Sequence, residues 1–338
     1  MYTGLIWVHM PPILFRKSKS TIPLSLLWIA ALLGGLAAKS RAQTFTEYPI
    51  PTPDSRPFSI ASGPDGALWF AEMYGNKIGR ITTSGVMTEY PLPEPASRPV
   101  WIKVGPDGAL WFTEHEGNRI GRITTAGAIT EYPVATPNSG PWNIDLAPDG
   151  QTLWFTQVTG LQIGQITTAG AITEYDVPLS PWDMAVGPDG ALWFTERTSD
   201  KIARFTTSGQ ITNQYLVPTP GSYPNYIITG PDGALWFTEQ KASKIGRLTT
   251  TGEFTEYPLP TPDCQPGSLA ADPDNVIWFT EHTGNKIGSI TLTGAIVEYP
   301  VPTLKSNPMV AEFGPDGALW FTEFAGDKIG RMTLPPGQ

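Results

Sequence analysis

The block Gly-Pro-Asp-Gly-Ala-Leu-Trp-Phe-Thr-Glu at 105–114 returns unchanged at 187–196, 230–239 and 314–323. Altered copies stand at 63–72, 147–157 and 272–281. Seven tryptophans mark the copies, Trp69, Trp111, Trp154, Trp193, Trp236, Trp278 and Trp320, spaced 39 to 43 residues apart. A unit of that length cannot bury its apolar face alone and must stack on copies of itself. Strand-rich units of about 40 residues do so radially, as the blades of a propeller. The expected fold is all-β: a seven-bladed β-propeller spanning 44–338.

Residues 95–137 show how one unit folds. Ile102 and Val104 alternate with Trp101 and Lys103, as a half-buried strand requires. Pro106-Asp107-Gly108 is a tight turn into a second strand ending at Glu114. A Gly-Asn turn leads to a third strand from Arg119, and Ala126-Gly127 to a fourth through Val134. Most units end in an outer strand of the form Thr-Glu-Tyr-Pro, but the last stops at Thr333 without one. Phe45-Thr46-Glu47-Tyr48-Pro49 supplies it, so the N-terminal segment is expected to complete the last blade and remove two open sheet edges.

Residues 1–43 read as an export signal. Arg16, Lys17 and Lys19 precede an apolar stretch from Ile22 to Ala38, and Ser40-Arg41-Ala42 offers cleavage between Ala42 and Gln43. Met1 and Met10 both remain as starts, and an uncleaved anchor is the alternative to a cleaved signal. The expected product is a periplasmic or extracellular monomer with no membrane attachment once cleaved. The formal charge of −9 leaves no basic stripe, so no nucleic-acid partner is expected. A single cysteine, Cys264, leaves ring closure to strand pairing.

The Trp-Phe pairs read as packing between blades. The glutamate ending every second strand but that of blade three, where Gln157 stands, reads as an acceptor for turn amides, or alternatively as part of a ring of acids that holds a cation. Function is expected where the blades differ. The residue after the proline that opens each innermost strand varies (Phe58, Val100, Trp142, Trp182, Asn225, Gly267, Met309), as do the outward side chains of those strands. Trp101, Trp142, Trp182, Asp183, Tyr226 and Glu312 are thus candidates to bind a small molecule at the mouth of the channel, against the alternative that they merely fill it. His115 and His282 each follow a second-strand glutamate. No phosphate loop, nucleophile elbow or Cys/His ligand spacing appears in the sequence.

These motifs, with Gly-Asn-Lys-Ile-Gly-Arg-Ile-Thr-Thr and Thr-Glu-Tyr-Pro-Leu-Pro-Thr-Pro, resemble the virginiamycin B lyase (streptogramin lyase) family from about residue 44 to 334. The resemblance implies a Mg-assisted β-elimination that opens a cyclic ester, with histidine as base. It places the family's histidines directly after proline in blades six and seven, where this chain has Pro266-Gly267 and Pro308-Met309. It places one metal-side glutamate at Asn307 and the other near Glu323. The leading expectation is therefore a small-molecule-binding or interaction propeller without that chemistry. The alternative is a Mg-dependent carbon–oxygen lyase, or a related lactone-acting enzyme, with His282 as a relocated base.

Overall fold

The computed structural model describes residues 43–334; the export signal expected up to Ala42 lies outside them. Twenty-eight strands pair into seven antiparallel sheets of four, with no helix among the described residues. Six blades use four consecutive strands. The seventh runs in the order Thr44–Pro49, Lys328–Thr333, Leu319–Glu323, Pro308–Phe313, with Phe45 opposite Met332 and Tyr48 opposite Ile329. The molecule is a seven-bladed β-propeller closed by its N-terminal strand.

Successive residues of a strand face opposite ways, so each Trp-Phe pair serves two junctions. Trp69 of blade one packs in a core with Phe112 of blade two, whereas Phe70 packs with Trp320 of blade seven. Seven such cores occupy the seven junctions. Every tryptophan also stacks on the outer-strand tyrosine of its own blade, with centroids 5.4–5.9 Å apart. In blade seven that tyrosine is Tyr48, so the closing strand restores the repeat. In blade one the third-strand glycine is set by packing, because a Cβ on Gly79 would collide with the Phe70 ring, whereas blade four accommodates Ala203 opposite Phe194.

The turn aspartate holds the tryptophan's polar edge. Trp111 Nε1 donates to Asp107 Oδ1 at 3.0 Å, and Arg122 Nε donates to Asp107 Oδ2 at 2.6 Å. Burial works to raise the Asp107 pKa, but these two donors outweigh it and hold the carboxyl below its usual range. Blade three lacks the arrangement: Trp154 Nε1 has no partner. Asp107→Ala should therefore lower stability by about 1–3 kcal/mol, since it orphans two donors. Asp149→Ala, at the same turn of blade three, removes only a hydrogen bond from Gln151 N and should cost no more than about 1 kcal/mol. Urea midpoints of the two variants check the contrast.

The second-strand glutamates do not accept turn amides as expected. The amides of Tyr74 and Gly75 donate to Ser55 O and that of Asn76 to Glu72 O, so the backbone satisfies the turn by itself. Glu72, Glu114, Glu239, Glu281 and Glu323 are fully buried and accept no turn amide; each lies against an outer-strand carboxylate or a nearby serine, while Glu196 accepts from Ser199 and Gln214. Burial, reinforced by the neighbouring outer-strand carboxylate of Glu89, pushes Glu72 up to about 8. That neighbour serves the ring instead: Glu89 accepts from Lys77 and from the inter-blade linker at Thr52. Glu47 does the same for Lys328 and Thr303, tying the closing strand to the linker before blade seven.

Candidate functional site

Two devices aim side chains into the mouth. Each innermost strand except that of blade four carries a register shift just after its opening proline, as between Pro141 and Ile144, which turns the residues there toward the axis. Threonines of the preceding blade then pin the residue after the proline: Thr113 Oγ1 donates to Trp142 O at 2.7 Å, Thr156 to Trp182 O at 2.9 Å, and Thr195 to Asn225 O at 2.6 Å. Beside this column stands a second one, the residues that follow each second-strand glutamate. Tyr223, Gln265 and Asn307 take left-handed φ values of 61°, 51° and 55°, and their carbonyls accept the amides of Gln240, His282 and Phe324. Arg56, Arg98 and Gly140 do the same in blades one to three, so the conformation belongs to the repeat.

The mouth encloses about 280 Å³ and has two unlike halves. One is aromatic: Trp142 lies 4.4 Å from Trp182 and 5.2 Å from Phe58, with Phe324 beyond. The other is polar and comes from blades four to seven. Arg197 is held between Trp182 and Tyr223, its guanidinium carbon 3.7 and 4.2 Å from the ring centroids, and donates to Gln240 Oε1 at 2.8 Å. Gln240 Nε2 stands 3.3 Å from His282 Nδ1. Burial, with the Arg197 charge adding to it, holds the His282 pKa down to about 4, so the ring is neutral at pH 7. Trp142 Nε1, Asn225 Oδ1 and Asn307 Oδ1 are buried and have no partner, whereas His282 also meets the Met309 backbone.

Beneath the mouth, Trp101 of blade two and Tyr226 of blade five meet with ring centroids 5.6 Å apart and form a floor across the axis. A second cavity of about 290 Å³ lies beyond it, lined by residues that include Lys103, Asn143, Asp145, Asp183 and Glu312. Lys103 Nζ is 3.4 Å from Asp145 Oδ1. Asp183 accepts from Asn143 Nδ2 at 2.6 Å and Ile227 N at 2.8 Å, while burial pushes it up to about 8.

The candidates read from sequence thus fall into two compartments. Trp142, Trp182 and His282 line the mouth, Asp183 and Glu312 line the inner cavity with Trp101, and Tyr226 faces both. Glu323 lines neither; it is buried beside Glu47. Arg197 and Gln240 escaped the sequence reading. They occupy the same column as His115 and His282, and the variation of that whole column (Met73, His115, Val158, Arg197, Gln240, His282, Phe324) was the signal that marked them.

Magnesium does not fit this mouth. Among the described residues its lining holds no carboxylate, and the polar half presents amides, a neutral imidazole and a guanidinium. A hard divalent cation needs several charged oxygen ligands. Gly267 also has a tenant: a Cβ there would collide with His282 Nε2, so His282 fills the volume that any side chain at 267 would need.

The model of the virginiamycin B lyase family matches residues 27–180 and 151–336. A streptogramin B lyase structure superposes with a TM-score of 0.82 at 40% identity, covering 87% of this chain and 98% of that one. A catalytically inactive virginiamycin B lyase from Staphylococcus aureus, solved with quinupristin, superposes equally well at 40% identity, with 87% and 100% covered. The match to the virginiamycin B lyase of Bacillus licheniformis is 48% identical over 40 residues, only 12% of this chain and 14% of that enzyme. With a family match over almost the whole ring and a like-sized backbone beneath it, the chain belongs to the virginiamycin B lyase family.

Proposed function

We propose that this propeller, exported and monomeric, binds a small molecule in its mouth without performing the elimination of its relatives. One observation carries the reading: three buried polar atoms, Trp142 Nε1, Asn225 Oδ1 and Asn307 Oδ1, lack partners and belong to side chains lining one opening. Buried polar groups are nearly always paired, and a ligand offering both donors and acceptors would pair these. The aromatic half facing them suits a molecule with a flat apolar face, and quinupristin, the compound bound to the S. aureus relative, is the probe of choice. Gly267 and Met309 offer no group to take a proton, and the amide of Asn307 replaces an acid.

A second reading is a lyase with His282 as base, favoured by its imidazole occupying the space above Gly267. Against it, a base whose pKa is held near 4 is poorly matched to proton abstraction at neutral pH. Quinupristin titrated into the purified protein should quench tryptophan fluorescence saturably and be recovered intact by mass spectrometry, with or without added magnesium. Trp182→Ala, which removes a wall of the mouth and a face of the Arg197 clamp, should weaken binding about tenfold or more. Chelator-sensitive ring opening that disappears in His282→Ala would replace the first reading with the second. Absence of any saturable quenching would remove both.

A further inference from the structure

The inner cavity, separate from the mouth, has a chemistry of its own. Its walls are the far halves of the innermost strands, and one basic side chain there, Lys103, faces three acidic ones, Asp145, Asp183 and Glu312. Lys103 is committed to Asp145 at 3.4 Å, and Asp183 to Asn143 and Ile227. Glu312 has neither an ion pair nor a hydrogen bond among the described residues; Lys103 acts on it only from a distance. Independently of these acids, Asn143 lines the same cavity, is 2% exposed and leaves its Oδ1 without a partner. Acceptors therefore outnumber donors; burial raises both the Asp183 and the Glu312 carboxyls, and a bound cation is what would hold Glu312 in its charged form. The floor adds the rings of Trp101 and Tyr226, whose π-faces attract cations.

We infer that this inner cavity binds a small primary ammonium compound, its charged end toward Glu312 and Asn143 and its short alkyl body against Trp101 and Tyr226. A metal ion is the poorer occupant: no three His, Cys, Asp or Glu side chains among the described residues are grouped to hold one. An ammonium needs no such convergence, because its three N–H donors reach separate acceptors. An anion would meet Glu312 and Asp145 with Lys103 already engaged. The volume of about 290 Å³ lies at the small end for organic ligands and restricts the body to a few carbons.

The test is calorimetric titration of the chain from Gln43 onward with n-butylammonium chloride, beside sodium butyrate and tetramethylammonium chloride at equal ionic strength. Butylammonium should bind saturably, and butyrate not at all. Glu312→Gln should weaken butylammonium at least tenfold. Lys103→Met, which removes the cavity's own cation, should tighten it severalfold; this second variant keeps the test open if the first folds poorly. Trp182→Ala, in the mouth, should leave the affinity unchanged, which separates this site from the one above the floor. Failure of butylammonium to bind, butyrate binding as well, tetramethylammonium binding equally without any N–H to donate, or an unaltered affinity in Glu312→Gln would each overturn the assignment.

Discussion

A chain lacking Thr44 to Pro49 is expected to be markedly destabilised and to self-associate, although it keeps every residue of six blades. The closing strand pairs along its full length with Lys328–Thr333 and covers Ile329 and Met332, both wholly buried in the intact ring. Its loss also removes the Tyr48–Trp320 stack and unclamps Thr303 and Lys328 from Glu47. Truncating a single large apolar side chain costs about 3–5 kcal/mol in a core, and Phe45 and Tyr48 are half buried, so their joint loss is about 5 kcal/mol. Tm should fall by about 10 °C or more, and the bare third strand becomes an edge that recruits other chains. Size-exclusion chromatography and thermal melts, with a chain starting at Gln43 as control, decide the matter. A monomer melting within about 2 °C of the control would show that the ring does not depend on this strand.

Stability should fall as pH rises from about 4.5 to 8. The reason is the set of buried glutamates at the ends of the second strands. Burial, helped by an adjacent outer-strand carboxylate, pushes Glu72, Glu239 and Glu281 up to about 8, and Glu114 and Glu323 up to about 7. In the unfolded chain they titrate near 4.5. Across the interval between those values the folded state holds protons that the unfolded state has released, so stability present below 4.5 is lost as pH climbs through 7 and 8. The turn aspartates act in the opposite sense. Hydrogen bonds from tryptophan and arginine outweigh burial and hold Asp65, Asp107, Asp189, Asp232 and Asp316 below 3.8; their contribution is lost as pH falls through that range. Maximum stability should lie near pH 4.5–5 and decline toward pH 8.5. Blade three carries its own control, since Gln157 stands at the glutamate position with no charge to lose. Replacing Glu72, Glu239 and Glu281 together by glutamine should flatten the alkaline limb of a plot of Tm against pH. A Tm that holds level or climbs between pH 5 and 8 in the parent protein would rule out protonated glutamates in the folded ring.

The site was legible only in part. The column after the opening proline stood out because it varies against a constant background, and Trp142 and Trp182 came from it directly. The column after the second-strand glutamate varies just as much, and Arg197 and Gln240 stand in it beside His115 and His282. Distance along the chain conceals their link: Arg197, Gln240 and His282 are about 42 residues apart in sequence and meet because three successive blades turn them into the same opening. Asp183 and Glu312 were read as mouth residues because period-two alternation reports which face of a strand a side chain takes, not how far along the axis it sits.

The repeat by itself determined the number of blades, the double-sided role of each Trp-Phe pair and the strand that closes the ring, because those follow from alternation along a strand and from copying one unit seven times. Whether an aromatic or an acid lies above or below the Trp101–Tyr226 floor was decided by tertiary structure alone. So was the collision of His282 with any side chain at 267, and so was the placing of the glutamates against outer-strand carboxylates, their expected amide partners having been taken by the backbone. Depth along the axis and the meeting of loops from different blades depend on the radius and closure of the whole ring, which no single repeat encodes.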